Sequence, residues 1–408
     1  MKKICVLGLG YIGLPTALLL AQHHQVIGVD IKDDIIDQLK NNRLPFEEPG
    51  LKSLFNKVKK NFIPSSSIQP ANVFIIAVPT PLNESLRIAE LQYVKQAAET
   101  ISSVLQKDNL VILESTVPPG VSDHLVLPLL NKTGVTTFFY AYCPERAIPG
   151  KTIDEMIHND RIIGGRDEPS LQMTHDLYAT FVKGQIHHTN PLTAEFVKLM
   201  ENTYRDVNIA LANEFAQIVE ESNINIWEAI DLANKHPRVD ILKPGPGVGG
   251  HCIAIDPWFL TETSTKFKLI SVARQINDSM PSHVVQRIKK IVGSLSKPTI
   301  TILGVAYKGN VDDTRLTPAL KIIMLAENEG YTVKIHDPHV QTFSYPLLSF
   351  DDAVTGSDCL VIITDHDEFK SITPSSLTSS MRTLNVVDTR NCLDHQQWKQ
   401  AGFHVEVL

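Results

Sequence analysis

Short runs of β-branched and apolar residues alternate with helical patterns through the first half of the chain. These runs predict strands at 4–7, 26–29, 73–78, 110–113, 138–142 and 161–163. Strands separated by helices are typical of a parallel sheet with helices on both faces. Ligands of such sheets bind beyond the carboxyl ends of the strands, so the residues that follow each run are the first candidates for a site.

The pattern changes near Asn190 and Pro191, where a helix of about 30 residues is predicted. Asn190 suits the capping position, and Pro191 suits the first helical position. Neither Gly nor Pro occurs from Leu192 to about Asn223, so the helix would be ~45 Å long. A helix of this length usually connects domains or forms a dimer interface, although a core helix is also compatible with the pattern.

A polar stretch at 292–298 predicts a linker, because Gly, Ser and Pro follow one another closely there. Strand and helix patterns then alternate again. The runs after the linker predict a second, smaller α/β domain with strands at 299–303, 332–335, 359–363 and 384–387.

Composition excludes several classes of protein. The 408 residues include 38 Lys and Arg against 45 Asp and Glu, a formal net charge of −7, and 43% are apolar. These values exclude disordered, collagen-like and supercharged chains, as well as binding to nucleic acid through bulk charge. Five scattered cysteines do not form a disulfide framework, which favours the cytoplasm as the location.

The first motif is the stretch GLGYIG, which follows the first strand and opens a helix. Gly8 permits a tight turn, Gly10 lets the backbone approach a pyrophosphate, and Gly13 lets the helix pack on the strand. The uncharged run from Ile4 to Gln22 could also indicate a signal peptide or a membrane span. The strand that follows it favours strand, turn and helix instead, so no membrane association is expected.

An acidic residue supports the dinucleotide interpretation. Asp30 ends the second strand, where a carboxylate hydrogen-bonds a ribose diol and repels a 2′-phosphate. The motif therefore predicts NAD rather than NADP, with an ordinary glycine turn and a surface aspartate as the alternative. Thr80 and Thr116 follow two further strands and can offer hydroxyl groups to a ribose or a nicotinamide.

The second motif is PGPGVGGHC, which ends at Cys252. Four glycines free backbone N–H groups to face a ligand and leave open space beside the thiol, so Cys252 is a candidate nucleophile. Asp256 lies four residues further on and can order water or a lysine near the sulfur. A zinc site that uses His251 and Cys252 is the alternative, but structural zinc ligands normally come in spaced pairs.

The long helix carries a third group of candidates. Lys198, Asn202 and Arg205 are spaced so that they share one helix face. Such a face is normally solvated, but Phe196 and Met200 lie close by in sequence and suggest enclosure. An enclosed lysine can serve as a base or as the partner of an oxyanion.

Two strand ends complete the candidates. Glu145, in the stretch YCPER, is a candidate general base, and Arg146 is a candidate anion contact. The stretch GVAYKG after the linker resembles a nucleotide turn without its GxG core, so a second complete dinucleotide site is not expected, although Lys308 and Arg315 can contact phosphates. His336 and His339 invite a metal interpretation, but a strand-end loop is favoured and no metal is predicted.

Together these motifs resemble the nucleotide-sugar 6-dehydrogenase family over nearly the whole chain. The resemblance rests on GLGYIGLP, STVPPG, CPER, KLMENTYRDVNIALANE, GPGVGGHC and YKGNVDDTR. The stretch HPRV at 236–239, followed by GPGVGGHCIAIDPWF, is similar to the branch of that family that acts on UDP-N-acetyl-D-mannosamine. Ala254 stands where many relatives have a proline, and that branch also has alanine there.

The resemblance implies a four-electron oxidation of the carbon-6 alcohol of a UDP-N-acetylhexosamine to a uronic acid, with two NAD per substrate. The aldehyde is captured by Cys252 as a thiohemiacetal, which is oxidised to a thioester that water then hydrolyses. In this scheme Lys198 is the acid, base and oxyanion residue with Asn202 beside it, and Glu145 and Asp256 assist the hydrolysis.

The resemblance also implies binding residues. The cofactor contacts it implies, together with the turn glycines, are Gly8, Gly10, Tyr11, Ile12, Gly13, Asp30, Thr80, Thr116 and Arg315. The implied substrate contacts are Arg146, Ala147, Lys198, Asn202, Arg205, His236, Arg238, Gly249, Tyr307 and Lys308.

The fold implied by the resemblance is α/β, with two Rossmann-like doubly wound domains joined by a central helical domain with a long helix. The expected boundaries are 1–189 for an NAD-binding domain, 190–295 for a central dimerisation domain with the cysteine loop, and 296–408 for a UDP-sugar-binding domain. The long helix would build a homodimer.

Three alternatives remain open at the level of sequence. The substrate can be UDP-N-acetylglucosamine or UDP-glucose, and the pair His236 and Arg238 is the feature that favours the mannosamine epimer. A non-catalytic NAD-binding regulator explains the glycine turn but not the glycine-lined Cys252. A two-electron hydroxyacid dehydrogenase needs no cysteine and would form one NADH per substrate.

Overall fold

The computed structural model describes residues 1–222 and 224–408 and divides into two compact units. The first unit comprises Met1–Glu201 and Trp258–Thr265, and the second comprises Asn202–Pro257 and Lys266–Leu408. Asn223, the predicted end of the long helix, lies outside the described residues. Within the described ranges, no helix combines the length and the apolar character needed to cross a membrane.

Ten strands lie in the described part of the first unit. They are β1 (Lys3–Leu7), β2 (Gln25–Val29), β3 (Phe62–Ser65), β4 (Val73–Ile76), β5 (Leu82–Asn83), β6 (Ile88–Ala89), β7 (Leu110–Leu113), β8 (Phe139–Tyr142), β9 (Arg161–Gly165) and β10 (Ile186–Thr189). Eight of them form one sheet in the order β10-β9-β8-β7-β4-β1-β2-β3, and β5 and β6 form a separate hairpin. The run from β3 to β8 has the strand order of a dinucleotide-binding fold.

The helices of the first unit cover both faces of this sheet. They are α1 (Gly13–Leu20), α2 (Asp33–Lys40), α3 (Leu51–Val58), α4 (Gln92–Ser102), a π-helical turn (Ser122–Val126), α5 (Leu127–Asn131), α6 (Thr152–His158) and α7 (Glu168–Tyr178). In β1, Ile4 and Val6 face one apolar cluster while Cys5 and Leu7 face the other. Both faces are therefore buried, which explains why these strands are continuous apolar runs.

The predicted all-parallel sheet is wrong at β9, which runs antiparallel to β8. Tyr142 pairs with Gly164, and Ala141 pairs with Gly165. The connection at 143–160, which contains the seven-residue helix α6, brings the chain back to the edge where β8 ends, so β9 starts there. As a result Arg161, the first residue of β9, lies at the edge where β8 ends.

The second unit contains a smaller sheet that is parallel throughout. Its strands are β11 (Thr299–Leu303), β12 (Thr332–His336), β13 (Cys359–Ile362), β14 (Asn385–Asp388) and β15 (His404–Val407), in the order β12-β11-β13-β14-β15. The sequence pattern predicted the first four of these strands, but not β15. The switch in strand order next to β11 places candidate ligand residues at the end of that strand.

The remaining helices include the predicted long one. They are α8 (Pro191–Ile218), which continues as a 3-10 turn (Val219–Glu221), α9 (Ile226–Ala233), α10 (Asp256–Thr261), α11 (Lys268–Val292), α12 (Pro318–Asn328), α13 (Phe350–Val354), α14 (Asp367–Lys370), a 3-10 turn (Pro374–Ser376) and α15 (His395–Gln400). The Asn190 side chain accepts a hydrogen bond from Thr193 N (2.9 Å), as the predicted cap requires. The predicted α/β class, with two Rossmann-like sheets and a central long helix, is confirmed.

Candidate active site

The glycine turn after β1 has the shape that a dinucleotide needs. Gly8 has φ of +93°, and a Cβ there would lie 2.4 Å from the Ala77 carbonyl oxygen. A Cβ on Gly13 would lie 1.9 Å from the Gly8 carbonyl oxygen, whereas a Cβ on Gly10 would meet no atom within 4 Å. Two glycines are thus required by close packing, and the third leaves open space beside the backbone, which fits a pyrophosphate.

Asp30 is anchored against this turn. Its Oδ2 accepts a hydrogen bond from Leu9 N (2.8 Å), and its Oδ1 accepts one from Lys32 N (2.9 Å). The side chain is half-buried at the end of β2. A carboxylate has about four acceptor positions, so Asp30 keeps capacity for a ribose diol while the backbone fixes its orientation.

The other predicted cofactor residues of the first unit lie at the same sheet edge or beside the turn. The Thr80 hydroxyl, after β4, donates to the Thr116 carbonyl oxygen, after β7 (2.7 Å). The Tyr11 ring packs against Phe46 with centroids 4.3 Å apart, and Ile12 is half-buried immediately before α1. These residues, the turn and Asp30 together fit a bound NAD.

Glu145 is buried immediately beyond β8, and both of its oxygens are hydrogen-bonded. Oε1 accepts from the backbone N–H groups of Arg146 (2.6 Å) and Ala147 (2.8 Å). Oε2 accepts from Nη2 of Arg161 (3.0 Å). The carboxylate is therefore held in one orientation by its own loop and by the first residue of β9.

Arg146 is engaged by neighbours in the same unit. Its Nη2 pairs with Glu201 Oε1 (2.6 Å), its Nε donates to Glu201 Oε2 (3.0 Å), and its Nη1 donates to the Asp160 carbonyl oxygen (2.8 Å). The guanidinium would have to leave part of this arrangement to contact a substrate.

Helix α8 buries several polar residues and exposes several large apolar ones, unlike an ordinary surface helix. Its polar residues Glu195, Lys198 and Asn202 are buried, while Phe196 and Met200 are 45% and 51% exposed. The polar stripe is enclosed, as expected, but the exposed Phe196 and Met200 do not cover it. In the part of the chain that the structure describes, Lys198 makes no ion pair and no hydrogen bond, so its ammonium group remains available to a ligand.

Glu195 fixes this helix to the loop that follows Thr116. Its carboxylate accepts from Gly120 N (2.6 Å), Ser122 N (2.8 Å) and the Ser122 hydroxyl (2.6 Å). Burial raises the pKa of Glu195, and these three hydrogen bonds oppose that effect. Since Lys198 lies one turn further along, Glu195 fixes the position of the lysine relative to the loop.

In the second unit, Asn202 joins Asp256 to Arg205. Asn202 Nδ2 donates to Asp256 Oδ2 (2.5 Å), and Asn202 Oδ1 accepts from Arg205 Nη2. Asp256 is buried, and its backbone N–H donates to the Cys252 carbonyl oxygen (2.8 Å). Two residues that were predicted separately, Asn202 and Asp256, are thus hydrogen-bonded to each other, and Asp256 is hydrogen-bonded to the cysteine backbone.

The cysteine loop packs against the predicted substrate residues that follow β11. Cys252 is exposed. A Cβ on Gly249 would lie 2.8 Å from the Tyr307 Cβ, and one on Gly250, whose φ is +82°, would lie 2.9 Å from the Tyr307 ring. Gly250 N also donates to the Arg315 carbonyl oxygen (2.9 Å). Glycine is therefore required here by the close approach of Tyr307.

Arg315 and His251 define the charge near this loop. Arg315 is exposed, and its guanidinium binds the Asp313 carboxylate through Nε (2.9 Å) and Nη2 (2.7 Å). Burial, together with the charge of Arg315, lowers the pKa of His251. Lys308 is half-buried beside Tyr307.

His236 and Arg238 form an exposed turn after α9. The Arg238 backbone N–H donates to His236 Nδ1 (3.3 Å), and both side chains are exposed. They belong to the second unit, as do Cys252 and Tyr307.

A cluster of His339, His366 and Glu368 has the side chains of a metal site but not the free lone pairs. His366 Nδ1 accepts from Asn310 N (2.9 Å), and His366 Nε2 lies 3.1 Å from Asp337 Oδ2. A metal-bound histidine donates its second N–H instead, so this buried imidazole is committed to the protein.

Three family models together match most of the chain. The NAD binding domain of the UDP-glucose/GDP-mannose dehydrogenase family matches residues 2–182, its central domain matches 192–279, and its UDP binding domain matches 301–395. The chain belongs to the UDP-glucose/GDP-mannose dehydrogenase family. It is an oxidoreductase with NAD as its cofactor, and the predicted resemblance is confirmed.

Relatives of this dehydrogenase extend over its full length. The UDP-N-acetyl-D-mannosamine dehydrogenase of Methanocaldococcus jannaschii is 49% identical over 416 residues, which cover 100% of this chain and 96% of that protein. The structure of UDP-D-ManNAc dehydrogenase from Pyrococcus horikoshii has a TM-score of 0.94 at 40% identity, covering 99% and 98% of the two chains. The UDP-N-acetyl-mannosamine dehydrogenase of Staphylococcus aureus has a TM-score of 0.91 at 41% identity, with coverage of 99% and 98%.

The predicted site residues of the dehydrogenase fall into two groups. The first unit holds Gly8, Gly10, Tyr11, Ile12, Gly13, Asp30, Thr80, Thr116, Glu145, Arg146, Ala147 and Lys198. The second unit holds Asn202, Arg205, His236, Arg238, Gly249, Cys252, Asp256, Tyr307, Lys308 and Arg315.

Sequence reasoning missed several residues that support these groups. Glu195 lies three residues before Lys198, so the helical spacing contained its signal. Asn213, whose Oδ1 accepts from Gly245 N (2.8 Å), shows a similar but weaker signal on the same helix. Arg161 had no signal in the sequence, because its position depends on the reversal of β9.

Proposed function

We propose that this dehydrogenase oxidises the carbon-6 alcohol of UDP-N-acetyl-D-mannosamine to UDP-N-acetyl-D-mannosaminuronate, with two NAD per substrate. The observation that carries the covalent mechanism is the exposed Cys252 in a glycine loop, with the buried Asp256 hydrogen-bonded to its backbone. The names of the full-length relatives support the choice of sugar.

In the proposed mechanism, the glycine turn and Asp30 would hold NAD, which when bound would supply the hydride acceptor for each of the two oxidations. Lys198, buried and without an ion pair in the described chain, takes up the hydroxyl proton and stabilises the oxyanion. The Cys252 sulfur adds to the aldehyde carbon, and the resulting thiohemiacetal is oxidised to a thioester. Asn202 assists at the oxyanion, and Glu145 or Asp256 activates the water that releases the carboxylate and regenerates the thiol.

The binding roles are proposed on the same basis. The glycine turn with Tyr11, Ile12, Asp30, Thr80 and Thr116 would hold NAD, and Arg315 would contribute a further cofactor contact. The UDP-sugar would be held by Arg146, Ala147, Lys198, Asn202, Arg205, His236, Arg238, Gly249, Tyr307 and Lys308.

The proposal includes three domains and a homodimer. The NAD-binding domain would span 1–189, the central domain 190–295 and the UDP-sugar-binding domain 296–408. The exposed apolar face of α8 supports a second copy of this chain as its partner, since an apolar stripe of this kind marks an interface. Because Cys252 must stay reduced to react, we place the reaction in the cytosol.

The stoichiometry of NADH tests the proposed reaction. A limiting amount of each UDP-sugar is converted to completion, and NADH is measured by absorbance. We expect two NADH per UDP-N-acetyl-D-mannosamine, and slower conversion of UDP-N-acetylglucosamine and UDP-glucose. One NADH per sugar would indicate a two-electron dehydrogenase, no NADH with any sugar would indicate a regulator, and faster conversion of another epimer would correct the substrate.

Two cysteine variants serve as matched controls for this experiment. Cys252→Ala should bind NAD and UDP-sugar but lose steady-state NADH formation by at least ~1,000-fold, because the nucleophile is absent. Cys392→Ala removes a half-buried thiol elsewhere in the second unit and should keep the rate. Full turnover by Cys252→Ala would exclude the covalent mechanism.

A further inference from the structure

A single buried guanidinium connects three acceptors at the carboxyl edge of the first sheet. Arg161 Nη2 donates to Glu145 Oε2 (3.0 Å) and to Glu114 Oε1 (3.1 Å), and Arg161 Nε donates to Cys143 Sγ (3.2 Å). The Arg161 side chain is 5% exposed. Its guanidinium carbon also lies 4.1 Å from the centroid of the Tyr178 ring, which fixes the plane of the fork.

Strand direction explains why these residues meet. Tyr142 pairs with Gly164 in antiparallel register, so continuing that register places residue 145 opposite residue 161. Glu114 follows β7, the neighbour of β8, at the same edge. The reversal of β9 therefore delivers a cation to the edge from which the proposed water-activating carboxylate projects.

Glu114 has more contacts than its pairing with Arg161 requires. Oε1 also accepts from the Tyr178 hydroxyl (2.5 Å), and Oε2 accepts from the Thr16 hydroxyl (3.1 Å), which belongs to the helix that follows the glycine turn. The side chain is fully buried. Two buried carboxylates thus bind one guanidinium nitrogen, and each can accept one of its two hydrogens.

We propose that Arg161 is the positioning residue of Glu145, and that Glu114 holds the guanidinium in place by binding the same nitrogen. The proposal rests on the proposed function, in which Glu145 activates water for hydrolysis of the thioester. It also gives Cys143 a role, because its neutral Sγ accepts a hydrogen bond from Arg161 Nε and so helps to orient the guanidinium. Arg161 itself touches no reacting atom.

The titration of the surrounding groups supports this assignment. Burial raises the pKa of Glu114 to about 7, although Arg161 and the Tyr178 hydroxyl oppose the shift. Burial also raises the pKa of Cys143 to about 11 and that of Tyr178 well above its ordinary value, so both stay protonated. Arg161 stays charged, because the neighbouring Glu145 raises its pKa against the cost of burial.

Glu114 and Glu145 bind the same nitrogen of the guanidinium. Nη2 carries two hydrogens, so each carboxylate can accept one of them. Charge-assisted hydrogen bonds are stronger than neutral ones, so loss of the Glu114 charge should loosen Arg161 and, through it, the orientation of Glu145.

The hydrolysis step tests the role of Glu114. Glu114→Gln keeps the size and one acceptor of the side chain but removes its charge. The two NADH should still form at a near-normal rate, and turnover should then slow by about fivefold, the equivalent of one weakened hydrogen bond. Normal turnover in this variant would overturn the role of Glu114.

Rapid-mixing kinetics test the role of Arg161. A lysine offers one point charge instead of a fork and cannot reach three acceptors. Arg161→Lys should form two NADH per active site at a near-normal rate and then turn over about 10- to 100-fold more slowly, because hydrolysis of the thioester is impaired. Arg166→Lys, a surface substitution just beyond the same strand, is the matched control and should keep the normal rate.

The outcomes separate this proposal from the proposed function. If wild-type enzyme forms one NADH per sugar, the proposed function fails regardless of Arg161. If wild-type forms two, but Arg161→Lys slows the first oxidation or changes nothing, the positioning role is wrong. If Arg161→Lys does not fold, as judged by its thermal unfolding, the isosteric Glu114→Gln variant decides.

Discussion

At the residue scale, carboxylates held by backbone N–H groups define the two nucleotide-type turns. Asp30 accepts from Leu9, the residue after the first glycine of its turn, and Asp337 accepts from Val305 in the same relation to Gly304 (2.7 Å). Gly8 and Gly304 have φ of +93° and +90°. The second turn differs because the buried His366 binds Asp337, which leaves that carboxylate no room for a ribose.

Asp30 is the residue whose substitution should change cofactor affinity. Asp30→Ala removes the acceptor proposed for the ribose diol, and a lost hydrogen bond to a charged group corresponds to an NAD dissociation constant about 10- to 100-fold higher. Discrimination against NADP should fall as well, because the repelling charge is gone. Calorimetric titration with both cofactors measures these effects.

Asp33→Ala is the matched control for this experiment. Asp33 opens α2 only three residues later, and it is exposed. An unchanged NAD affinity in Asp30→Ala, or an equal loss in Asp33→Ala, would show that Asp30 is not the ribose contact.

At the element scale, α8 separates what a sequence pattern can show from what it cannot. The absence of Gly and Pro and the Asn190 cap predicted the helix, and the spacing predicted the shared face of Lys198 and Asn202. The pattern suggested that neighbouring apolar residues enclose that face. In the structure Lys198 and Asn202 are buried while Phe196 and Met200 are exposed, a distinction that requires knowledge of what lies on each side of the helix.

The outward face of α8 should hold the proposed dimer together. Met200→Glu places a charge in the centre of the stripe formed by Leu192, Phe196, Met200, Tyr204, Leu211 and Ile218. Burying an unpaired charge is costly, so the dimer dissociation constant should rise by about 100-fold or more. Sedimentation velocity over a dilution series measures this change.

A substitution on another helix controls for surface charge. Met324 is 51% exposed on α12, the same fraction as Met200, and Met324→Glu should leave the sedimentation profile unchanged. A monomeric wild-type protein, or equal behaviour of the two variants, would contradict a dimer built on α8.

At the scale of the whole molecule, the sequence predicted most strands and the order of the motifs. Burial on both faces of a sheet produces continuous apolar runs, which can be recognised from the sequence alone. The reversed direction of β9 could not be predicted from the sequence, because strand direction depends on the path of the connecting chain. Arg161 was missed for that reason, although Glu145, its partner, was found from the motif around it.

The stability of the second unit should depend on Asp337. Five donors surround its carboxylate: the backbone N–H groups of Val305, Ala306, His339 and Val340, and the His366 ring. Asp337→Asn places an amide among these donors and should lower the free energy of unfolding by about 3 kcal/mol, as measured by denaturant titration. Asp351→Asn, at an exposed position on α13, should leave it unchanged.

Asp337 should also make the stability of the second unit depend on pH. Although burial opposes it, hydrogen bonds from His366 and the backbone lower the pKa of Asp337. Its stabilising contribution is therefore complete above the pKa of an unfolded aspartate, near 4, and is lost as the pH falls below it. A smaller loss of stability in Asp337→Asn between pH 5 and pH 3 is the expected signature.

The chain contains two similar turns, and one of them can serve as an internal control for the other. One copy of the arrangement, at Gly8 and Asp30, is open, while the copy at Gly304 and Asp337 is closed by an imidazole. Loss of the carboxylate weakens both turns, but only the open turn can also lose a bound ligand. Comparing substitutions at the two positions therefore separates what the carboxylate contributes to the stability of the turn from what it contributes to ligand binding.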